Sequence, residues 1–123
     1  MSYVGFNEYV YVLPMETRTS AVTSPVQVNK GFKGVKLTLF VATISGDIGM
    51  HLNGVDRLSG QQYYLLSSSS VSASGVTNLT VYPGITTQAN VALSTVLPYD
   101  WSVTVAPVGS AEARYSVGAS LIE

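Results

Sequence analysis

From Val35 to Val41 apolar and polar residues alternate without a break. Val35, Leu37, Leu39 and Val41 fall on one side, and Lys36, Thr38 and Phe40 on the other. The same period of two recurs downstream. Leu79 and Val81 alternate with Asn78, Thr80 and Tyr82; Trp101, Val103 and Val105 alternate with Ser102, Thr104 and Ala106. Near the end, Tyr115, Val117, Ala119 and Leu121 alternate with Arg114, Ser116, Gly118 and Ser120. Successive side chains of a strand point to opposite faces, so this pattern predicts strands with one buried apolar face and one small, polar face. It is the signature of antiparallel sheets covered on one side. The expected core is Val35, Leu37, Leu39, Val41, Leu79, Val81, Trp101, Val103, Val105, Tyr115, Val117 and Leu121.

Turn residues punctuate the runs at Ser45-Gly46-Asp47, Asn53-Gly54, Ser59-Gly60, Ser74-Gly75, Pro83-Gly84 and Gly109-Ser110. Asn-Gly tolerates the positive φ of a two-residue hairpin, which makes Asn53-Gly54 a candidate turn. Tyr82-Pro83-Gly84 reads as a strand end, because proline cannot donate to a ladder. Only Thr86–Thr95 (TTQANVALST) could hold a helical turn, and β-branched threonines stand at its ends, Thr86 and Thr87 at the start and Thr95 at the finish. The expected fold is all-β: a single antiparallel β-sandwich or small barrel of seven to eight short strands.

The stretch SGQQYYLLSSSSVSASG (residues 59–75) is the exception to easy reading. By composition its serines resemble a flexible linker. A linker would split the 123 residues into pieces of roughly 60, close to the lower limit for unaided folding, and the chain has no cysteine to staple them. One domain is the better reading, with Gln61–Ser67 and Val76–Tyr82 as strands and the serines as an ordered hairpin connection. Residues 1–30 are expected to form an N-terminal arm or edge strands, and residues 31–123 the β-sandwich domain. The first 25 or so residues should serve contacts with neighbours and leave the sandwich to the rest of the chain.

Composition then narrows the function. Charged residues make up 11 % of the chain, against about 25 % in an average globular protein, while hydrophobic residues make up 46 %. Such a chain should fold. With six Lys and Arg and a net charge of −1 it carries no basic footprint for nucleic acid. So little charge also predicts that part of the surface is covered by further copies or by a partner. The longest apolar stretch, Val35–Ile44, is half the length of a membrane span, so no membrane partner is expected. The start, MSYVGFNEYVYV, lacks the basic residues and cleavage site of a signal peptide, and the absence of cysteine fits a reducing cytoplasm.

Catalytic constellations are hard to assemble from these residues. His51 is the only histidine, so a nucleophilic triad would have a single possible base. Asp47, His51 and Asp56 could be drawn as a metal site, but their spacing fits no ligand motif, and a surface histidine is the expected outcome. The seven acids stand mostly at strand ends, where carboxylates are solvated, rather than as a pair across a cleft. No glycine-rich loop precedes a helix, and the sequon Asn78-Leu79-Thr80 needs a secretory route that nothing here suggests. No enzyme activity, cofactor or metal is expected.

Three blocks carry a family likeness: VDRLSGQQYYLLSSSSVSASG, NLTVYPG (Asn78–Gly84), and LPYDWSVTV followed by YSVGASLIE. In their order and spacing, from about Gly34 to the end, the chain resembles a family of small β proteins of tailed bacteriophages and prophages. The first thirty-odd residues depart from that pattern. The resemblance implies a virion structural protein, made in the host cytoplasm, with a head or tail role and no catalytic site. The leading expectation is a capsid decoration or cement protein, a homotrimer bound to the major capsid protein. The alternatives are a tail-tube or head–tail joining protein, or a carbohydrate-binding sandwich using Gln61, Gln62, Tyr63 and Tyr64. Trp101 is expected to plug the core. Tyrosine buries ring area while its hydroxyl stays bonded, so the candidate interface residues are Tyr3, Phe6, Tyr9, Tyr11 and Met15.

Overall fold

A computed structural model describes residues 8–123. They form one eight-stranded sheet and no helix. The strands are β1 (Glu8–Arg18), β2 (Val22–Thr23), β3 (Gln27–Val28), β4 (Gly34–Val55), β5 (Gln62–Ser67), β6 (Gly75–Val81), β7 (Ala92–Leu93) and β8 (Asp100–Ile122). The all-β expectation holds. The sheet is mixed, because β6 and β7 pair in parallel, and it does not close into a barrel.

Two strands are far from short. β4 and β8 span 22 and 23 residues and pair antiparallel almost end to end, from Gly34 opposite Ile122 to Gly54 opposite Trp101. The flanking strands are segments of two further long arms. β1, β2 and β3 follow one another antiparallel along β8, and β5 and β6 return along β4. The architecture is therefore four long ribbons side by side, with β7 added at one edge.

The ribbons bend in the middle. Register shifts fall between Val41 and Thr43 and between Ser45 and Asp47, where Gly109, Ser110 and Ala111 stand opposite Gly46 alone. Gly46 and Gly109 have φ of 96° and 66°, a left-handed backbone that glycine adopts without a Cβ penalty. Extra residues in one strand bend and twist a ladder, so Ser45-Gly46-Asp47 makes a fold in a continuing strand rather than the chain reversal expected there. The bulges also shift which residues face inward. Val35, Leu37, Leu39 and Val41 are buried before the bend, and Ile48, Met50 and Leu52 after it. The two half-sheets close on one core, which contains all twelve residues predicted for it. Val12 and Leu13 of β1 join that core, so the N-terminal segment completes the fold as well as edging it.

The turn after β4 lies at Asp56–Gly60, beyond Asn53-Gly54, which sit buried in the strand. The Asp56 carboxylate accepts hydrogen bonds from the Ser59 hydroxyl and N–H, and these hold its pKa below the ordinary 3.8. Tyr63 packs over Gly54 where any larger residue would collide with its ring. The serine run is ordered but is not a β5–β6 hairpin. It continues along β4: Ser68 N–H donates to the Met50 carbonyl, and Ile48 and Val71 exchange both backbone hydrogen bonds. Thr86–Thr95 holds β7 and turns, with Asn90 at positive φ and its side chain donating to the Ser67 carbonyl.

Candidate interaction surface

Folding the sheet in half leaves two outward faces, and their chemistries differ. On the half that holds the end of β8, strand alternation sends Ser116, Gly118 and Ser120 outward while Val117, Ala119 and Leu121 point into the core. β1 lies beside them with the matching register, Tyr9 opposite Ser120 and Tyr11 opposite Gly118. Small residues on the central strand leave room for large ones on the edge strand. Tyr9 uses that room, its ring end lying over Gly118. Tyr11 meets Tyr9 edge to face, with ring centroids 5.3 Å apart, and is 81 % exposed.

Beyond Tyr11 the edge strand is irregular. Register shifts between Tyr11 and Leu13 and between Leu13 and Glu16 put Val12 and Leu13 both into the core and leave Pro14 and Met15 beside Ser116. Arg18 fastens this bulged stretch. Its guanidinium donates to the Pro14 carbonyl at 2.8 Å and the Tyr115 carbonyl at 3.3 Å, and it lies 4.8 Å from the centre of the Tyr115 ring. Burial pushes the Tyr115 hydroxyl pKa above its ordinary 10.0. The result is a groove of about 310 Å³ walled by Tyr9, Tyr11, Pro14 and Met15 and floored by Ser116, Val117 and Gly118.

Three of the five residues proposed from sequence therefore gather at one groove: Tyr9, Tyr11 and Met15. Tyr3 and Phe6 lie outside the described residues. Sequence reasoning missed Phe40 and Val76, which pair across β4 and β6 and extend the apolar strip past Ser116. Both are exposed. The available signal was the parity of Phe40, an aromatic on the polar side of the Val35–Val41 alternation.

The other outward face is polar and hydrogen-bonded across four strands. Ser102 Oγ donates to Gln62 Oε1 at 2.9 Å, and Asn53 Nδ2 reaches Thr104 Oγ1 at 2.9 Å and Ser102 Oγ at 3.2 Å. The Thr104 and Thr23 hydroxyls share a hydrogen bond of 2.8 Å. At the end of this row Arg57 makes a two-pronged ion pair with the buried Asp100, at 2.9 and 3.1 Å, and lies over the Tyr99 ring. His51 is on the same face. Its Nδ1 is 2.6 Å from Ser67 Oγ and its ring stacks on Tyr64 at 4.5 Å, while partial burial lowers its pKa below 6.5. Asp47 stands at the bend and Asp56 in the turn, so His51 is joined by neither. Among the described residues no three of His, Cys, Asp and Glu cluster as metal ligands would. Trp101 is buried, as the sequence suggested for a core plug, with its indole N–H unpartnered.

Comparison with protein-family models, with curated proteins and with solved structures finds no match.

Proposed function

We propose that this chain is a structural subunit of a phage particle, a capsid decoration protein that docks on the outer shell and stabilises it. The observation that carries this reading is the Tyr9–Tyr11–Met15 groove, continued by Phe40 and Val76, on a chain with very few charges. Exposed tyrosine rings on a rigid sheet, with the half-buried Met15 beside them, are what a protein-binding surface offers, because aromatic rings bury much area while fixing few torsions. The sequence blocks shared in pattern with small phage β proteins supply the choice of partner, the major capsid protein. Ligands that bind only the assembled state stabilise that state, so many weakly bound copies, arranged as trimers, would reinforce a shell against packaged DNA.

The test uses particles stripped of the protein. Adding back the wild-type chain should restore their resistance to heat, and Tyr11→Glu, placed at the most exposed ring of the groove, should bind poorly while keeping its fold. Equal breakage temperatures with and without the protein would end this reading. Labelling confined to the tail would replace it with the tail-tube alternative.

A further inference from the structure

The polar outward face has the layout of a binding platform, and we infer that it takes a neutral glycan, one pyranose ring stacking on Tyr64 with its hydroxyls bonded by Gln62. The inference stands apart from shell docking, which uses the other half of the sheet.

Gln62 and Tyr64 are two residues apart on β5 and share a face, about 6–7 Å from each other along the strand. That separation suits a single sugar ring. Tyr64 is 67 % exposed, yet one side of its ring is stacked on His51, which in turn is tied to Ser67. The other side of the ring is held toward solvent in a fixed orientation, ready for the C–H edges of a sugar, which favour the electron-rich face of an aromatic ring. Pre-orientation lowers the entropic cost of binding.

The hydrogen-bonding groups are also set in advance. Gln62 Oε1 is occupied from below, by Ser102 Oγ and Asn53 Nδ2. An amide whose oxygen is turned inward must direct its NH₂ group away from that network, and Gln62 is exposed. Its two N–H donors are therefore left free of Ser102 and Asn53, on the face that also carries Tyr64. Beneath it, Asn53 and Ser102 are fully buried, and Asn53 Oδ1 has no partner. The satisfied members of this row hold Gln62 in place, and the unpartnered Asn53 Oδ1 is the one group in it that carries a desolvation cost. Charge selects the ligand class. The one ion pair at the end of the row, Arg57 with Asp100, is internally compensated, so a neutral polyhydroxylated ligand fits better than an anionic one.

Titrating the ¹⁵N-labelled chain with maltohexaose, cellohexaose and chitohexaose, each to millimolar concentration, tests this by amide chemical shifts. Saturable shifts at Gln62, Tyr64 and His51 are expected with at least one of them. They should be lost in Tyr64→Ala, weakened at least several-fold in Gln62→Ala, and kept in Tyr11→Ala. The spectrum of each variant away from the site reports whether it is folded. Absence of shifts with all three sugars, shifts centred on Tyr9 and Tyr11, or binding unchanged by Tyr64→Ala would each overturn the inference.

Discussion

The end of the Tyr9 ring occupies the space that a side chain at position 118 would need, so Tyr9 and Gly118 fit each other as diagonal neighbours on β1 and β8. Covering a strand glycine with a neighbouring aromatic ring restores packing that the glycine itself cannot provide. The pairing also sets the tilt of Tyr9 at the groove. Gly118→Ala should displace the ring and cost about 1–3 kcal/mol, as overpacking does. Urea denaturation measures the cost, and a drop in particle binding larger than that of an equally destabilising core variant would show that the groove has changed shape.

Leu39 is fully buried in the first half of β4, beside Val117 on β8 and Thr77 on β6. Leu39→Ala should cost about 2–5 kcal/mol, the range for removing a buried leucine and leaving part of its cavity. Phe40→Ala, one residue on but facing outward, should cost much less. Similar losses for the two would contradict the register of β4.

At Gly46 two constraints coincide. Its φ of 96° disfavours any L side chain, and an added Cβ would come within 2.7 Å of the Ala111 Cβ. Gly46→Ala should therefore destabilise the bend more than Gly60→Ala, where φ is 77° but the space around the residue is open. Thermal unfolding of the two variants side by side gives the comparison.

Partial burial lowers the His51 pKa from 6.5, so between its folded and unfolded values the native chain binds fewer protons than the unfolded one. Stability then rises with pH across that window. It should be fully present above 6.5 and decline as pH falls from there through the lower folded value. Urea midpoints at about pH 7.5 and about pH 5.5 should differ in the wild type, and the difference should shrink in His51→Gln.

Hydrogen exchange distinguishes an ordered serine run from a linker. The Val71 and Ser68 amides donate to β4 carbonyls, at 2.8 Å in both cases, and should exchange well behind those of Ser72–Ser74, for which no such bonds are seen. Uniformly fast exchange across residues 68–74 would remove this segment from the return arm along β4.

Much of this protein was legible before folding was considered. Period-two alternation depends only on the geometry of an extended backbone, so the strand faces at Val35–Val41, Leu79–Val81, Trp101–Val105 and Tyr115–Leu121 could be read from the chain. Poverty in charge and the tyrosines of β1 raised the expectation of a contact surface, and the structure gathers Tyr9 and Tyr11 at one groove. What local patterns could not convey is where a glycine reverses the chain and where it only bends it. Ser45-Gly46-Asp47 and Asn53-Gly54 look like turns, but long-range pairing with β8 runs through both, and the reversal falls at Asp56–Gly60. The serine run kept its order for the same reason, because its backbone groups find partners on β4. The tertiary structure alone brought Phe40 and Val76 beside Ser116, and Gln62 over Asn53 and Ser102, since those neighbours are set by strand order and register rather than by distance along the sequence.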